Sequence, residues 1–206
     1  KKVVEYKVQD EKYNHLYCNP WESARLTVKD GDTLTIENLL YSALVGSANN
    51  AVESLVRVSG LSREEFIKKM NDNAKSWGAA NTFFIEPTGL SPDNVSSPYD
   101  YAIMMKEVLK NSLIEKISTT KSYSFSTINT KIAHRLNNTN QLVKNSSYNI
   151  TGSKTGYLHE SGNCLMTKIK TDQGNLIVVN FGSPTRDASF SDNEQLIRYG
   201  LRQLSK

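Results

Sequence analysis

The sequence predicts an α+β fold in which helices come first and a mainly antiparallel sheet, closed by one more helix, comes after. Three observations carry this. Apolar residues recur at helical spacing from Thr35 to Gly78 and alternate or run in short blocks beyond Ser118. With 206 residues, 38% of them hydrophobic and 22% charged, the chain can bury roughly 70% of its unfolded surface without disulfides or a structural metal. One domain over 1–206 is expected, with a mainly helical lobe over about 33–117 and the sheet and C-terminal helix over about 118–206.

Residues 1–32 read as polar and irregular, with a short alternating stretch at Arg25–Lys29 that closes on the turn signal Asp30-Gly31-Asp32. Ile36, Leu39, Leu40, Ala43 and Leu44 then share one helical face, with Thr35 as its N-cap, and the helix runs toward Gly46-Ser47. A second face, Val52, Leu55 and Val56, continues to Gly60. Ser62 to Glu65 spells a capping box for a third helix, with Phe66, Met70 and Trp77 on its buried side and Gly78 as its stop. After a loop rich in Pro, Gly and Asn over 86–97, Ser97-Pro98-Tyr99-Asp100 opens another helix with proline in its first turn. Tyr123 and Phe125 alternate as in a strand. Cys164–Lys170 and Leu176–Phe181 form strand runs joined by a hairpin at Asp172–Asn175. Ser191-Asp192-Asn193-Glu194 reads as the capping box of the last helix, which carries Leu196, Ile197, Gly200, Leu201 and Leu204.

Composition excludes several functions. The net charge of +4 comes from 25 basic and 21 acidic residues scattered along the chain, which argues against a nucleic-acid arm or a polybasic membrane patch. The longest apolar stretch, residues 39–45, is far short of the roughly 20 residues that cross a bilayer. The first residues, Lys1 to Lys7, show neither an apolar signal core nor a small-residue cleavage site, so any export signal is expected to have been removed or never to have existed. Cys18 and Cys164 carry no connectivity information. With His15, His134 and His159 at no ligand spacing, neither a metal nor any cofactor is expected.

The most informative stretch is Gly152-Ser153-Lys154-Thr155-Gly156-Tyr157. A phosphate-binding loop is excluded, because Ser153 and Tyr148 stand where that motif needs glycine. Lys-Thr-Gly on a strand instead offers an ammonium and a hydroxyl to a carboxylate, and its glycine leaves the backbone open to a ligand. It is one of the signatures of penicillin-recognising serine enzymes. Ser47-Ala48-Asn49, between two predicted helices, matches a second: a hydroxyl for proton relay and an amide to orient a peptide bond. Alone it reads as a helix break with Asn49 or Asn50 as the next cap. In the same order and more than a hundred residues apart, the two motifs are far more specific.

Together with Leu39-Leu40-Tyr41, Asn49-Asn50-Ala51, Asn81 to Leu90, Ser97 to Asp100, Asn138-Thr139-Asn140 and Gly162-Asn163-Cys164-Leu165, these motifs resemble the D-alanyl-D-alanine carboxypeptidase family of low-molecular-mass penicillin-binding proteins. The Glu86-Pro87-Thr88-Gly89-Leu90 variant is similar to the endopeptidase members. The resemblance implies a β-lactamase/transpeptidase-like fold, with a five-stranded antiparallel sheet packed by helices beside a helical lobe. It also implies action on peptidoglycan stem peptides outside the cytoplasmic membrane, in the bacterial envelope or secreted, and acylation by β-lactams. Ser47 would relay a proton, Asn49 would position the substrate amide, Lys154 and Thr155 would hold a terminal carboxylate, Gly156 would let the backbone approach, and the Tyr157 N–H would supply half of an oxyanion hole.

One departure stands out. The nucleophile of that family is the serine of a Ser-x-x-Lys motif at a helix N-terminus, well before Ser-x-Asn, and only 46 residues precede Ser47. The only Ser-x-x-Lys here is Ser118-Thr119-Thr120-Lys121, at a helix end that runs into a strand, where lysine and serine do not share a helical face. No nucleophile is therefore expected within these residues. The first strands and nucleophile helix of the fold are expected to be missing, and a second copy or another chain is expected to cover the open core. Two alternatives remain: a non-catalytic peptidoglycan-binding or regulatory relative, and a class A-like β-lactamase with Glu86 as its deacylating acid, against which the surrounding loop reads as that of a carboxypeptidase.

Overall fold

The computed structural model describes residues 2–19, 23–145 and 147–205. Strand β1 (Val3–Glu5) pairs antiparallel with β2 (Thr33–Thr35), Val4 opposite Leu34, both buried. Between them lies helix α1 (Val8–Lys12), followed by a 3-10 turn at Asn14–Leu16. The expectation of an irregular 1–32 is corrected here, and so is that of a strand-like Arg25–Lys29, which forms no strand. Three-residue strands show no usable alternation, and α1 has no apolar stripe. A buried carboxylate docks it instead: Asp10 accepts from Arg57 Nε at 2.8 Å and from Ser54 Oγ at 2.7 Å.

Helix α2 (Ile36–Leu44) starts where expected, with Thr35 Oγ1 accepting from the Asn38 N–H at 3.0 Å, and α3 (Asn49–Arg57) follows after one turn. Their apolar faces join Val4, Tyr6, Leu26 and Leu34 in one buried cluster. The Ser62/Glu65 capping box forms at α4 (Arg63–Ser76), which stops at Gly78, φ 89°. Helix α5 (Pro98–Val108) begins with Ser97 as cap and Pro98 in the first turn, and the short α6 (Ser112–Ser118) is capped by Asn111. Next come a hairpin of β3 (Ser122–Ser126) and β4 (Ala133–Asn137), then the short helix α7 (Gln141–Asn145).

The main sheet is antiparallel, in the order β5 (Ile150–Leu158), β6 (Gly162–Thr171), β7 (Gly174–Ser183). Helix α8 (Arg186–Leu204) and α7 cover one face through Leu142, Leu165, Ile169, Val178, Phe190 and Ile197. On the other face α5 packs on β7, with Tyr101 edge-on to Phe181, centroids 5.5 Å apart. The α+β class and the helix-then-sheet order are as read from sequence. The start of α8 is not: Thr185 caps it by accepting from the Ala188 N–H at 3.1 Å, six residues before the expected cap Ser191 of the Ser191–Glu194 box. Those box residues sit inside the helix, where Asp192 accepts from Ser183 Oγ and Asn193 donates to Asn180 Oδ1.

A polar clamp ties the helical region to β5. Asn138, 3% exposed, donates from Nδ2 to the carbonyls of Ser118 (2.9 Å) and Thr120 (3.0 Å), capping the end of α6, while its Oδ1 accepts from the Asn140 N–H. Ser153 then donates from Oγ to the same Ser118 carbonyl at 3.2 Å. Replacing Asn138 with alanine leaves the Ser118 carbonyl to Ser153 alone and takes this donor from the Thr120 carbonyl, so Asn138→Ala is expected to destabilise the chain by about 1–3 kcal/mol. Urea unfolding measures this, and a loss below about 0.5 kcal/mol, the range of ordinary surface substitutions, would contradict the clamp.

Candidate active site

The turn between α2 and α3 aims Ser47. Its φ of 57° lies in the left-handed region that non-glycine residues enter at a cost. Beside it Gly46 permits a close approach, because a Cβ there would lie 3.0 Å from the Ser42 carbonyl and 3.1 Å from Leu136 Cδ2. The result places Ser47 Oγ 2.6 Å from Lys154 Nζ, across 107 positions of sequence. Lys154 Nζ also donates to its neighbour's carbonyl, Thr155 O, at 2.7 Å. An ammonium has three N–H donors, so one remains for a ligand. Burial pushes the Lys154 pKa down to about 8, with no carboxylate among the causes to hold it up.

The neighbours of Lys154 on β5 complete the end of a cleft. Thr155 Oγ1 lies 2.6 Å from Thr139 Oγ1, and Arg186 Nη2 donates to the Thr139 carbonyl at 2.7 Å. Gly156 pairs with Cys164 and is exposed, and a Cβ there would make only ordinary contact, 3.6 Å from Cys164 Cβ. Packing within the chain therefore does not demand glycine at 156. Tyr157 is 65% exposed. Asn49 is the first residue of α3, and its N–H donates to the Ala24 carbonyl at 2.9 Å. The structure thus brings Ser47 to Lys154, with Thr155 next to it on β5, while Ser47 and Asn49, both half-buried, stand beside the cavity that residues 154–158 line and not in its wall.

That cavity, of about 600 Å³, runs from Lys154, Thr155, Gly156 and Tyr157 between α4, α5 and the loop over 84–96. All four methionines of the chain line it, Met70, Met104, Met105 and Met166, beside Trp77 and Phe181. Met70 and Trp77, expected on a buried helix face, are half-buried because that face borders this space. Methionine side chains adapt to irregular apolar partners.

Ser118, the only alternative nucleophile in sequence, is 2% exposed and donates to the Glu115 carbonyl at 3.1 Å. Its Lys121 donates instead to the Lys144 carbonyl at 3.3 Å, so no base faces the hydroxyl. Glu86 is the loop residue that the sequence favours over a β-lactamase-type acid. It is 0% exposed, and its carboxylate accepts from the backbone N–H groups of Thr88, Gly89, Leu90 and Ser91, from Thr88 Oγ1 and from Asn94 Nδ2. Every lone pair is committed to folding the loop, which leaves none to activate water. Sequence reasoning missed Arg186, which no motif announces. It met Thr139 only within the Asn138–Asn140 resemblance.

The family described as D-alanyl-D-alanine carboxypeptidase, peptidase S11, matches residues 5–185. D-alanyl-D-alanine carboxypeptidase DacF of Bacillus subtilis is 37% identical over 163 residues, 79% of this chain and 41% of that protein. D-alanyl-D-alanine endopeptidase of Escherichia coli is 35% identical over 167 residues, 80% of this chain and 54% of that protein. The chain spans about half the length of the curated relatives it matches. The crystal structure of the Streptomyces K15 DD-transpeptidase superposes with a TM-score of 0.87 at 25% identity, covering 97% of this chain and 79% of that one.

Because Glu86 organises one wall of the cavity through charged hydrogen bonds, Glu86→Gln is expected to cost about 2–4 kcal/mol in urea unfolding. A glutamine that is tolerated without loss would mean that the carboxylate does not hold the loop.

Proposed function

We propose that this chain, which belongs to the D-alanyl-D-alanine carboxypeptidase family, is the substrate-holding part of a serine D,D-peptidase that acts on peptidoglycan stem peptides in the bacterial envelope. The observation that carries the reading is the half-buried Lys154 ammonium, 2.6 Å from Ser47 Oγ and next in sequence to Thr155. An ammonium drawn out of water without a carboxylate partner is poised to receive an anion from outside the chain. A peptide ending in a free carboxylate supplies one: it accepts from the remaining Lys154 N–H and from Thr155. The Asn49 amide aligns the peptide bond next to it, Gly156 admits the substrate backbone, and the Tyr157 N–H donates to the developing oxyanion.

In the acyl-transfer step a hydroxyl attacks the penultimate carbonyl, the C–N bond breaks, and the leaving amine needs a proton. Ser47 donates its own and recovers the one that the attacking hydroxyl gives up, while Lys154 stays an ammonium against the carboxylate. Water then hydrolyses the ester. The attacking hydroxyl comes from polypeptide beyond these 206 residues, on a further segment or a second chain that covers the open core and brings it to Ser47 and Lys154. β-Lactams, with an amide and a carboxylate in similar relation, acylate the same hydroxyl. The release of D-alanine and the cutting of a crosslink use the same groups on this chain.

A second reading, a non-catalytic peptidoglycan-binding relative, rests on one observation: the sole Ser-x-x-Lys within these residues lacks helical geometry. Labelling with a fluorescent penicillin separates the two. The 206-residue chain alone is expected to form no denaturation-resistant adduct. The parent polypeptide carrying a Ser-x-x-Lys helix is expected to form one, and Lys154→Ala in it to slow acylation at least tenfold, the equivalent of about 1.4 kcal/mol, with little change in melting temperature. A label on Ser118, or equal rates for wild type and variant, would contradict the assignment. An unlabelled parent would favour the binding relative.

A further inference from the structure

Thr139 lies outside the three motifs that carry the reaction, yet the fold holds it with unusual care. Its neighbours Asn138 and Asn140 are 3% and 0% exposed. Asn138 is bonded to two carbonyls and to the Asn140 N–H, and Asn140 Oδ1 accepts from the Leu142 N–H at 2.9 Å. The Thr139 carbonyl itself accepts from Arg186. With the backbone fixed on both sides, the remaining group of Thr139 is its hydroxyl, 2.6 Å from that of Thr155, with either oxygen able to donate.

A hydroxyl has one hydrogen. If Thr155 donates to Thr139, it presents only lone pairs to the cleft and repels a carboxylate. If Thr139 donates, the Thr155 hydrogen is released toward the ligand. The second arrangement aligns two O–H groups head to tail, and each bond in such a chain polarises the next. We infer that Thr139 is a positioning residue that makes Thr155 a hydrogen-bond donor and so sets the preference of the cleft for a free carboxylate over a neutral terminus. This rests on the reading of Thr155 as a carboxylate ligand. Thr139 touches no substrate and acts through Thr155 alone. Loss of its hydroxyl leaves the carbonyl contact with Arg186 in place.

The test compares two ligands, acetyl-D-Ala-D-Ala and its C-terminal amide, titrated into the isotope-labelled 206-residue chain and followed by the amide resonances of Thr155 and Gly156. Wild type is expected to bind the acid more tightly than the amide. Thr139→Val keeps the branched shape and is expected to weaken acid binding about three- to tenfold, the range of one neutral hydrogen bond, while leaving the amide within about twofold. Thr139→Ser is expected to restore the preference, and adding Thr139→Val to Thr155→Val to change nothing further. Should valine not be accommodated, Thr139→Ala reads the same loss. An undiminished preference for the acid in a folded Thr139→Val chain would overturn the role of Thr139 and leave the proposed function standing. A wild-type chain that does not distinguish acid from amide would overturn both.

Discussion

The ammonium of Lys154 meets Ser47 Oγ at 2.6 Å, and through that contact two parts of the chain that share no secondary structure become one site. Ser47 belongs to a strained turn between two helices, and Lys154 to an inner position on a strand. Neither geometry profits its own element: the turn adopts a φ of 57° at a serine, and the lysine loses hydration without a carboxylate to compensate. Such costs persist only where surrounding packing enforces them. Here that packing is the cluster of α2 and α3 against β1 and β2 on one side and the Asn138 clamp on the other.

The remaining polar interior serves the same end. Asn138 fastens the end of α6, Ser153 ties β5 to it one residue before Lys154, and Glu86 gathers the loop opposite into a wall. Each spends a buried polar side chain on backbone groups, and of the three Glu86 lines the cavity itself. The four methionines, Trp77 and Phe181 belong to the apolar share of the cavity wall. One end of the space is thus rigid and charged, and the rest soft and greasy. That division suits a site where a carboxylate is gripped at one point while an apolar segment packs alongside.

Much of this was legible in the sequence because it is local. Thr35, Ser62 with Glu65, and Ser97 with Pro98 mark helix starts through bonds that span only a few residues, and all three stand where they were read. Lys154-Thr155-Gly156 and Ser47-Ala48-Asn49 were recognisable for the same reason, each being a short motif. What escaped depends on partners far away in sequence. Helix α1 exists because Asp10 meets Arg57, 47 positions on, and its own residues show no apolar period. Ser191–Glu194 imitates a cap, yet Thr185 starts the helix sooner, and Asp192 and Asn193 are drawn to Ser183 and Asn180 on β7. Arg186 joins the site only because that earlier start puts it beside Thr139. Glu86 reads as a loop residue because of the carboxypeptidase-like Pro87–Leu90 beside it, but no spacing rule reveals that six donors seal its carboxylate.

The most direct test follows the side-chain methylene resonances of Lys154 by NMR as pH rises from 6 to 12 in the folded chain. A half-buried lysine pressed against Ser47 is expected to titrate with a midpoint near 8, below the ordinary lysine range. A midpoint in the ordinary lysine range, above about 10, would put the ammonium in open water, separate Ser47 from β5, and remove the basis on which the cleft was assembled.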